Sequence, residues 1–596
     1  MHAGNADIAV DSSRTEAPKV RLTHEVRKGH DRIEEYMNRY ISLQEADMDK
    51  KSKTMVIIGV ILVIAMLGVL IGVIAGKAKK EESGSSKSGD GNSARSLEQL
   101  EKSVNVNKAV PTKGVVTFDN NNLYDELPEI SKYPLAVEGR AEVNIEIFTS
   151  GEKAGSGDDS WLVDVATKFN KEGHTLPNGR TVSFSVRSVP SGTAADYIIS
   201  NKYVPDLYSP SNTLFGEYAI ASGGHLELYE SRMVGNTAGI LVKKGAYSDF
   251  DSVIKAVQDG QINVGYTNPQ TSATGLNLLL TLLEGGTENF TKFNANIPYV
   301  AYTTQQMRDS ASNGRLDGML TEYQAYIHDK NLTSIYDFIP FGVRHDNPAY
   351  ICNKSSMTQD EQDATRMIVD YCLSPEMQKI ATEKGFNANE DYSTSLDFSG
   401  AEVTQALITY KKEKDNGKDI IAVFVADCSG SMNGEPMNQL KSSLTNGIAY
   451  INDNNYIGFV SYNSKVTIEL PIEKFDLTQR SYFQGAVNSL YANGNTYSYE
   501  ALVIAARMIE DAKKDHPDAK CMIILLSDGH ANGIYKISDI EGAIKESTIP
   551  IYTISYGDEA DKSELQQVAN INEAASINAD SDDIIYKLKS LFNSQL

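Results

Sequence analysis

Residues 420–431 read Ile-Ile-Ala-Val-Phe-Val-Ala-Asp-Cys-Ser-Gly-Ser, an apolar run that ends in polar residues. Seven apolar residues in succession predict a strand that is buried on both faces, as in a parallel sheet. The strand ends in the carboxylate of Asp427 and the hydroxyls of Ser429 and Ser431. Carboxylate and hydroxyl oxygens are hard ligands, so this strand end suits Mg²⁺, Mn²⁺ or Ca²⁺.

Two later segments carry similar oxygen ligands. Thr496 closes the sequence Asn-Gly-Asn-Thr, and Asp528 follows the apolar run 521–526 after one serine. Strand and helix patterns alternate from 418 to 596, which predicts a doubly wound α/β sheet. In such sheets ligands bind at the carboxyl ends of the strands, where Asp427 and Asp528 are both expected.

Together these motifs resemble the metal-ion-dependent adhesion site of von Willebrand factor A domains. The resemblance implies that Ser429, Ser431 and Thr496 coordinate a Mg²⁺ ion (or Mn²⁺ or Ca²⁺) through their hydroxyls. It implies that Asp427 and Asp528 hold the coordinated waters. It also implies a protein partner that supplies a carboxylate to the open position of the ion, which is recognition and not turnover.

A second α/β region begins near residue 141, where small polar clusters stand at points at which strands lead into helices. Helix N-termini and hydroxyls can bind small anions, although helix capping by Ser and Thr explains each cluster taken alone. Four clusters at equivalent strand ends favour a ligand crevice. The predicted ligand-binding residues are Ser150, Ser191, Gly192, Thr193, Ser209, Ser211, Asn268, Thr271 and Ser272.

Residues 141–399 resemble the type II periplasmic solute-binding proteins. The segments that carry the resemblance are Val143–Gly151, Tyr266–Leu276 and Gly314–Leu320. The resemblance implies two α/β lobes that close on a small-molecule or anion ligand.

Residues 55–76 form a run of 22 residues without a polar side chain. At ~1.5 Å per residue a helix of this length crosses the ~30 Å hydrocarbon layer, so we expect a single transmembrane helix. A cleaved signal peptide is the alternative, but 54 residues precede the run. Lysines flank both ends equally and leave the orientation open. We expect a single-pass protein of the cell membrane with most of the chain extracellular, because the C-terminal part resembles surface-exposed modules.

The predicted fold class is therefore α/β, with a two-lobed solute-binding-protein fold, a doubly wound (Rossmann-like) von Willebrand factor A domain and one N-terminal transmembrane helix. The expected segments are a partly helical cytoplasmic tail (1–54), the transmembrane helix (55–76), a Gly/Ser-rich tether and connecting segment (77–140), the solute-binding-like module (141–399) and the A domain (400–596).

Charge and composition exclude several functions. The net charge of −23 argues against a nucleic-acid partner, because phosphate binding needs clustered Lys and Arg. Four cysteines do not make a disulfide scaffold, and Cys352 and Cys372 could pair or stay as free thiols. The sequence has no phosphate loop, nucleophile elbow or zinc-protease helix, so no catalytic residue and no enzyme is predicted. We expect a membrane-anchored surface binding protein; the alternative is the substrate-binding component of a transport system.

Overall fold

The computed structural model describes residues 95–116, 122–301, 303–304, 307–308, 316–414, 417–556, 561–572, 574, 576–578 and 584–595. The predicted cytoplasmic tail, the predicted transmembrane helix and the start of the tether lie outside these residues. Within them, no helix combines the length and the apolar character needed to cross a membrane.

Three sheets and the helices around them make up the described part of the chain. The strands are β1 (Val106–Lys108), β2 (Leu135–Val137), β3 (Val143–Thr149), β4 (Val182–Ser188), β5 (Leu207–Ser209), β6 (Leu226–Glu230), β7 (Ala238–Lys243), β8 (Val264–Thr267), β9 (Tyr299–Ala301), β10 (Gly318–Glu322), β11 (Tyr336–Pro340), β12 (Ala349–Cys352), β13 (Ile420–Asp427), β14 (Tyr456–Tyr462), β15 (Val466–Lys474), β16 (Lys520–Ser527), β17 (Ile551–Ser555) and β18 (Ser576–Asn578). The helices are α1 (Leu97–Glu101), α2 (Leu123–Glu126), α3 (Gly151–Ala154), α4 (Trp161–Glu172), α5 (Ser191–Ser200), α6 (Leu214–Ala221), α7 (Phe250–Gln258), α8 (Ala273–Leu283), α9 (Thr287–Asn294), α10 (Tyr323–Ile327), α11 (Lys330–Ile335), α12 (Gln359–Leu373), α13 (Pro375–Glu383), α14 (Gly400–Glu413), α15 (Glu435–Gly447), α16 (Leu477–Ser489), α17 (Ser498–Ala512), α18 (Ile537–Ser547), α19 (Lys562–Asn570) and α20 (Ile584–Gln595).

The first two sheets form two lobes. One sheet has the strand order β2-β4-β3-β5-β12-β6, and the other has the order β11-β7-β10-β8-β9. The chain passes from the first sheet to the second between β6 and β7 and returns between β11 and β12. The predicted two-lobed α/β architecture is confirmed, and the carboxyl ends of several strands face the space between the lobes.

The third sheet contains the apolar run 420–426, which forms most of β13. Its order is β1-β15-β14-β13-β16-β17-β18, and β13 pairs in parallel with both β14 and β16. Alternate side chains of β13 enter two separate cores. Phe424 packs with α15, α16 and α20, whereas Val423 and Val425 pack with α17, α18 and α19. Burial on both faces explains the unbroken apolar run, because neither face of a central parallel strand meets water.

Residues 97–108 belong to this third sheet although they fall within the predicted connecting segment 77–140. β1 pairs in parallel with β15, and Leu97 and Leu100 of α1 are buried in the core that α17 covers. The two lobes are thus inserted between β1 and β13. This strand is hard to predict from sequence, because Val-Asn-Lys has one apolar residue and is too short to show an alternating pattern.

The cysteines are free thiols in this fold. Cys352 and Cys372 are both buried and unpaired, and so is Cys428, whereas Cys521 is partly exposed. Of the two alternatives left open by the sequence, the structure has the free thiols.

Candidate metal centre and solute crevice

The carboxyl end of β13 lies where the chain connections of the third sheet diverge. From β13 the chain continues to β14 on one side, and it later returns to β16 on the other side. A divergence of this kind leaves a cleft above the strand ends, and it is the general place for ligands in open α/β sheets. Asp427 is the last residue of β13, so the fold carries its carboxylate to the floor of this cleft.

The carboxylate of Asp427 is buried and held by three donors. Its Oδ1 accepts a hydrogen bond from the backbone N–H of Ser429 at 2.8 Å. Its Oδ2 accepts from the Tyr462 hydroxyl at 3.0 Å and from the Ser527 hydroxyl at 2.6 Å. Burial raises the pKa of Asp427 to about 6; the Ser527 hydrogen bond opposes this rise, and the negative charge of Asp528 adds to it. The carboxylate is therefore oriented firmly, but its charge is poorly balanced.

Ser429 and Ser431 present two hydroxyl oxygens 3.0 Å apart. Ser429 is buried and Ser431 is exposed, so the pair runs from the floor of the cleft to its mouth. Adjacent ligands of an octahedral Mg²⁺ ion, each at ~2.0–2.1 Å, lie about 3 Å apart. The spacing of the two hydroxyls fits one edge of such an octahedron.

Backbone hydrogen bonds tie the two other predicted loops to this one. Gly430 N–H donates to Gly494 O at 3.0 Å, and the φ of +76° at Gly494 suits glycine there. Thr496 N–H donates to Asn532 Oδ1 at 2.7 Å, and Asn532 N–H donates back to Thr496 O at 3.0 Å. The loops that carry Asp427, Thr496 and Asp528 therefore meet, with Thr496 buried and Asp528 partly exposed.

Sequence reasoning missed the side chains that orient Asp427. Tyr462 stands at the carboxyl end of β14, and Ser527 directly precedes Asp528. Both are polar residues at the ends of apolar strands next to β13. A search of the sequence for polar residues at the ends of predicted strands could have identified them. Such supporting donors orient a metal ligand and tune its charge.

A second cluster of metal-type side chains lies beside Asp528. His530, Asp561 and Glu564 bring ligand atoms within 4.8 Å of one another, and no other such trio occurs in the part of the chain that the structure describes. Glu564 Oε1 already accepts hydrogen bonds from the Tyr499 hydroxyl and from Ala531 N–H. These contacts fix the loop that follows Asp528, so the cluster has a structural role without an ion.

The crevice between the two lobes contains part of the predicted ligand set. Ser150, Ser191, Ser211, Thr271 and Ser272 line it. They come from the ends of strands in both sheets, as the positions of the polar clusters in the sequence suggested.

The four other predicted residues lie near the crevice but do not line it. Gly192 joins the lobes, because its N–H donates to Thr271 O at 3.0 Å. Thr193 is buried, and its Oγ1 accepts the Tyr586 hydroxyl of α20 at 3.2 Å. Ser209 is buried on β5, and Asn268 Oδ1 accepts Gln270 N–H at 2.9 Å in the turn before α8.

Sequence reasoning did not identify the charged residues in and beside the crevice. Glu152 accepts hydrogen bonds from the hydroxyls of Ser150 and Ser211, and Lys153 Nζ lies 3.4 Å from its Oε1. Burial alone would raise the pKa of Glu152, but the Lys153 ammonium and the two hydroxyls hold it below its usual range. Burial lowers the pKa of Lys153, against the opposing attraction of Glu152 and Glu322.

A second carboxylate, Glu322, lines the other lobe at the end of β10. Its Oε1 lies 2.8 Å from His345 Nδ1 and accepts the Thr274 hydroxyl at 3.0 Å. Its Oε2 accepts Asn236 Nδ2–H at 2.8 Å. Asp159 and Arg308 complete the charged lining and form an ion pair with 3.0 Å between Nη2 and Oδ2.

Comparison with known families confirms the two predicted resemblances in the predicted order. Residues 154–387 match the family model of the bacterial extracellular solute-binding proteins, and residues 422–593 match that of the von Willebrand factor type A domain. Most residues that line the crevice lie within the first match, although Ser150, Gly151 and Glu152 precede it, and the three converging loops lie within the second. These two domain classes indicate a binding or recognition role.

Individual relatives match one module each. Inter-alpha-trypsin inhibitor heavy chain H3 of Bos taurus is 28% identical over 173 residues, which are 27% of this chain and 19% of that protein. The chain thus spans about a fifth of the length of the curated relatives it matches. A solved von Willebrand factor type A protein from Catenulispora acidiphila is 23% identical with a TM-score of 0.28, covering 30% of this chain and 42% of that one. A periplasmic thiamin binding protein is 14% identical with a TM-score of 0.36, covering 46% of this chain and 95% of that one.

Proposed function

We propose that this chain is a membrane-anchored surface binding protein that recognises a protein partner through a divalent metal and holds a small ligand between its two lobes. The observation that supports this most is the meeting above β13 of the three loops that carry Asp427, Ser429, Ser431, Thr496 and Asp528.

The donor set fits a hard divalent cation such as Mg²⁺, Mn²⁺ or Ca²⁺. Ser429, Ser431 and Thr496 would hold the ion through neutral oxygens, and Asp427 and Asp528 would orient its waters from behind. A bound ion would supply positive charge with an open position for a carboxylate of the partner. Tyr462 and Ser527 keep the Asp427 carboxylate in one orientation, so the chain itself fixes the geometry of the site.

The lobes support the second half of the proposal. A crevice lined by polar side chains from two α/β lobes is a site for a small solute, and the match to extracellular solute-binding proteins agrees with this use. We propose binding and release without chemical turnover, since both matched families are classes of binding protein.

The membrane anchor rests on the sequence alone. The apolar run 55–76 is long enough to cross a bilayer, and both modules follow it in the chain. With the N-terminus in the cytoplasm, the crevice and the metal site would both be outside the cell, where a solute and a protein partner can reach them.

The metal half of the proposal is tested with calorimetric titration of Mn²⁺ into the full chain. We expect Asp427→Ala to lower the affinity at least tenfold, because it removes the buried carboxylate at the floor of the site. Asp419→Ala is the matched control, since Asp419 flanks the opposite end of the same strand and pairs with His516. Equal Mn²⁺ affinity in the wild type and Asp427→Ala would overturn the metal site.

Recognition of a partner carboxylate is tested with two peptides that differ only in one Asp or Asn. We expect the Asp peptide to bind the Mn²⁺-loaded chain and to be released by a chelator, and the Asn peptide not to bind. Binding that is independent of the metal, or equal for both peptides, would contradict this role.

A further inference from the structure

The lining of the crevice specifies the chemistry of its ligand. The cavity has a volume of ≈ 160 Å³ and is bordered mainly by Ser and Thr hydroxyls, with Glu152, Asp159, Glu322 and Arg308 as its charged side chains. A cavity of about 150 Å³ holds a molecule the size of benzene, so the ligand has roughly six non-hydrogen atoms. None of the described residues that line the crevice is aromatic.

Two cations of the described residues lie in or beside the crevice, and both already contact protein groups. The Lys153 ammonium donates to Ser150 Oγ at 2.7 Å and Asn347 Oδ1 at 2.6 Å, and it approaches Glu152 at 3.4 Å. These contacts use all three N–H donors of a lysine. Arg308 is paired with Asp159. An oxyanion in the crevice would have to compete with carboxylates for both cations.

Of the three carboxylates that line the crevice, Glu322 is the one to which no Lys or Arg of the described residues is bound directly. His345 is in contact with it, but His345 Nε2 faces Asn277 Nδ2 at 3.3 Å. The orientation of the Asn277 amide is fixed, because it bonds both Val343 N–H and Val343 O at 2.8 Å. His345 Nε2 therefore accepts a hydrogen bond from Asn277 Nδ2–H, so the ring hydrogen is on Nδ1 and His345 is a neutral donor to Glu322.

Among the described residues in and beside the crevice, the balance of charge is therefore negative. Lys153 and Arg308 give two positive charges, and Glu152, Asp159 and Glu322 give three negative charges, so the sum is −1. A bound sulfate or phosphate would raise the negative charge in a partly dehydrated site, which is costly. A cation would neutralise the site.

The type of cation follows from the remaining features. Quaternary ammonium groups are bound by aromatic faces, and the lining offers none. A metal ion needs several ligand atoms close together, and the trio found in the described residues lies in the other module. A primary ammonium carries three N–H donors, which match a carboxylate flanked by hydroxyl acceptors.

We propose that the crevice binds a small aliphatic primary amine, with its ammonium held by Glu322 and neighbouring hydroxyls. This proposal rests on the proposed function, in which the crevice is the site of a small ligand. It narrows the ligand class from a small molecule or anion to a compact organic cation.

The test is calorimetric titration of the full chain with five probes: ethanolamine, 1,4-diaminobutane, choline, glycine and sulfate. Trp161 gives a second readout, because it is the only tryptophan and follows the crevice residue Asp159 by two positions. We expect the two primary amines to bind at least tenfold more tightly than choline, glycine or sulfate, and we expect their affinity to fall with added salt.

Two substitutions locate the binding. Glu322→Gln keeps the size of the side chain and removes its charge, and it should weaken amine binding at least tenfold. Ser188→Lys places an ammonium at a partly exposed position of the lining, and it should also weaken amine binding tenfold. Glu288→Gln, on the exposed surface of the same lobe as Glu322, is the control and should bind as the wild type does.

The outcomes separate this proposal from the proposed function. Tighter binding of sulfate than of the amines overturns the amine assignment but leaves the crevice as a ligand site. Amine binding that survives both Glu322→Gln and Ser188→Lys within twofold also overturns it, since the amine would then be bound elsewhere. Failure of every probe to bind overturns the amine assignment, while the metal titration described above stands or falls separately.

Discussion

Removal of the Ser527 hydroxyl is the sharpest perturbation of the proposed metal site. Ser527 Oγ donates to Asp427 Oδ2 at 2.6 Å, and it accepts Gly529 N–H at 3.1 Å in the same loop. Ser527→Ala therefore removes one of two side-chain donors to a buried carboxylate and leaves every direct metal ligand in place. It tests whether the orientation of Asp427 matters to the ion.

The magnitude follows from the type of bond. A hydrogen bond to a charged group contributes about 1.5–3 kcal/mol. Each 1.4 kcal/mol corresponds to about tenfold in affinity, so the loss for Mn²⁺ should be between about 10-fold and 100-fold. Supporting residues around metal ligands show effects of about the same size.

The assay is calorimetric titration of Mn²⁺ into the full chain, with thermal unfolding measured in parallel. Thr553→Val is the matched control, because Thr553 also carries a buried hydroxyl and lies on the neighbouring strand β17. This hydroxyl donates to Leu565 O of α19 at 3.2 Å. We expect Thr553→Val to lose stability and keep its Mn²⁺ affinity. If Ser527→Ala binds Mn²⁺ within twofold of the wild type, Asp427 does not depend on this donor and the reasoning is refuted.

Three further predictions concern stability and lobe closure. Burial raises the pKa of Asp206 to about 6, above its value in the unfolded chain, so ionisation of Asp206 destabilises the fold as pH rises from about 4 to 6. Asp206→Asn should therefore raise the free energy of unfolding by up to about 3 kcal/mol at pH 7.5 and leave it almost unchanged at pH 4. Equal effects at both pH values would contradict this. A Cβ on Gly192 would lie 2.0 Å from Gln270 O in the other lobe, so Gly192→Ala should lower ligand affinity in the crevice at least tenfold; wild-type affinity would show that this close approach is not needed. Leu100→Ala should lower the free energy of unfolding, measured with denaturant, by about 2–5 kcal/mol. Leu477→Ala, at an exposed site, should change it by less than about 0.5 kcal/mol. A small effect at Leu100 would contradict the place of α1 in the core.

The sequence predicted the third sheet well because its signals are local. Every side chain of the run 420–426 is apolar, so both faces of this strand must be buried. The polar residues at its end follow it directly in the chain. The apolar runs 420–426 and 521–526 coincide with β13 (Ile420–Asp427) and β16 (Lys520–Ser527). In each case the short length of the apolar run indicates a buried strand without information from tertiary contacts.

The charged lining of the crevice could not be predicted in the same way. Glu152 and Glu322 are far apart in sequence, and each is an ordinary exposed-type residue until the lobes bury it. The polar clusters drew attention to hydroxyls and helix N-termini, which suggested an anion. A local sign existed at Glu152, which directly follows Ser150-Gly151 at the end of a strand, but only the fold shows that Glu322 lines the same cavity.

The two modules are in contact at the helix that borders the crevice. Ser191 of α5 lines the crevice, and Asp196 on the same helix accepts the Tyr586 hydroxyl of α20 at 2.9 Å. In turn Phe592 of α20 packs edge-on against Phe424 of β13, with ring centroids 5.5 Å apart. The solute-binding-like module thus rests on the helix that supports the strand carrying Asp427.

The inserted arrangement decides which material can test these proposals. A fragment that begins at residue 400 lacks α1 and β1. It would leave α17 without Leu97 and Leu100, Arg507 without its ion-pair partner Glu101, and one edge of the sheet without β1. Exposed apolar surface and an unpaired strand edge promote association between chains, so such a fragment would report on its own defects. Loss of metal binding is therefore informative only in a chain that keeps residues 97–108, and every measurement proposed above uses the full chain for this reason.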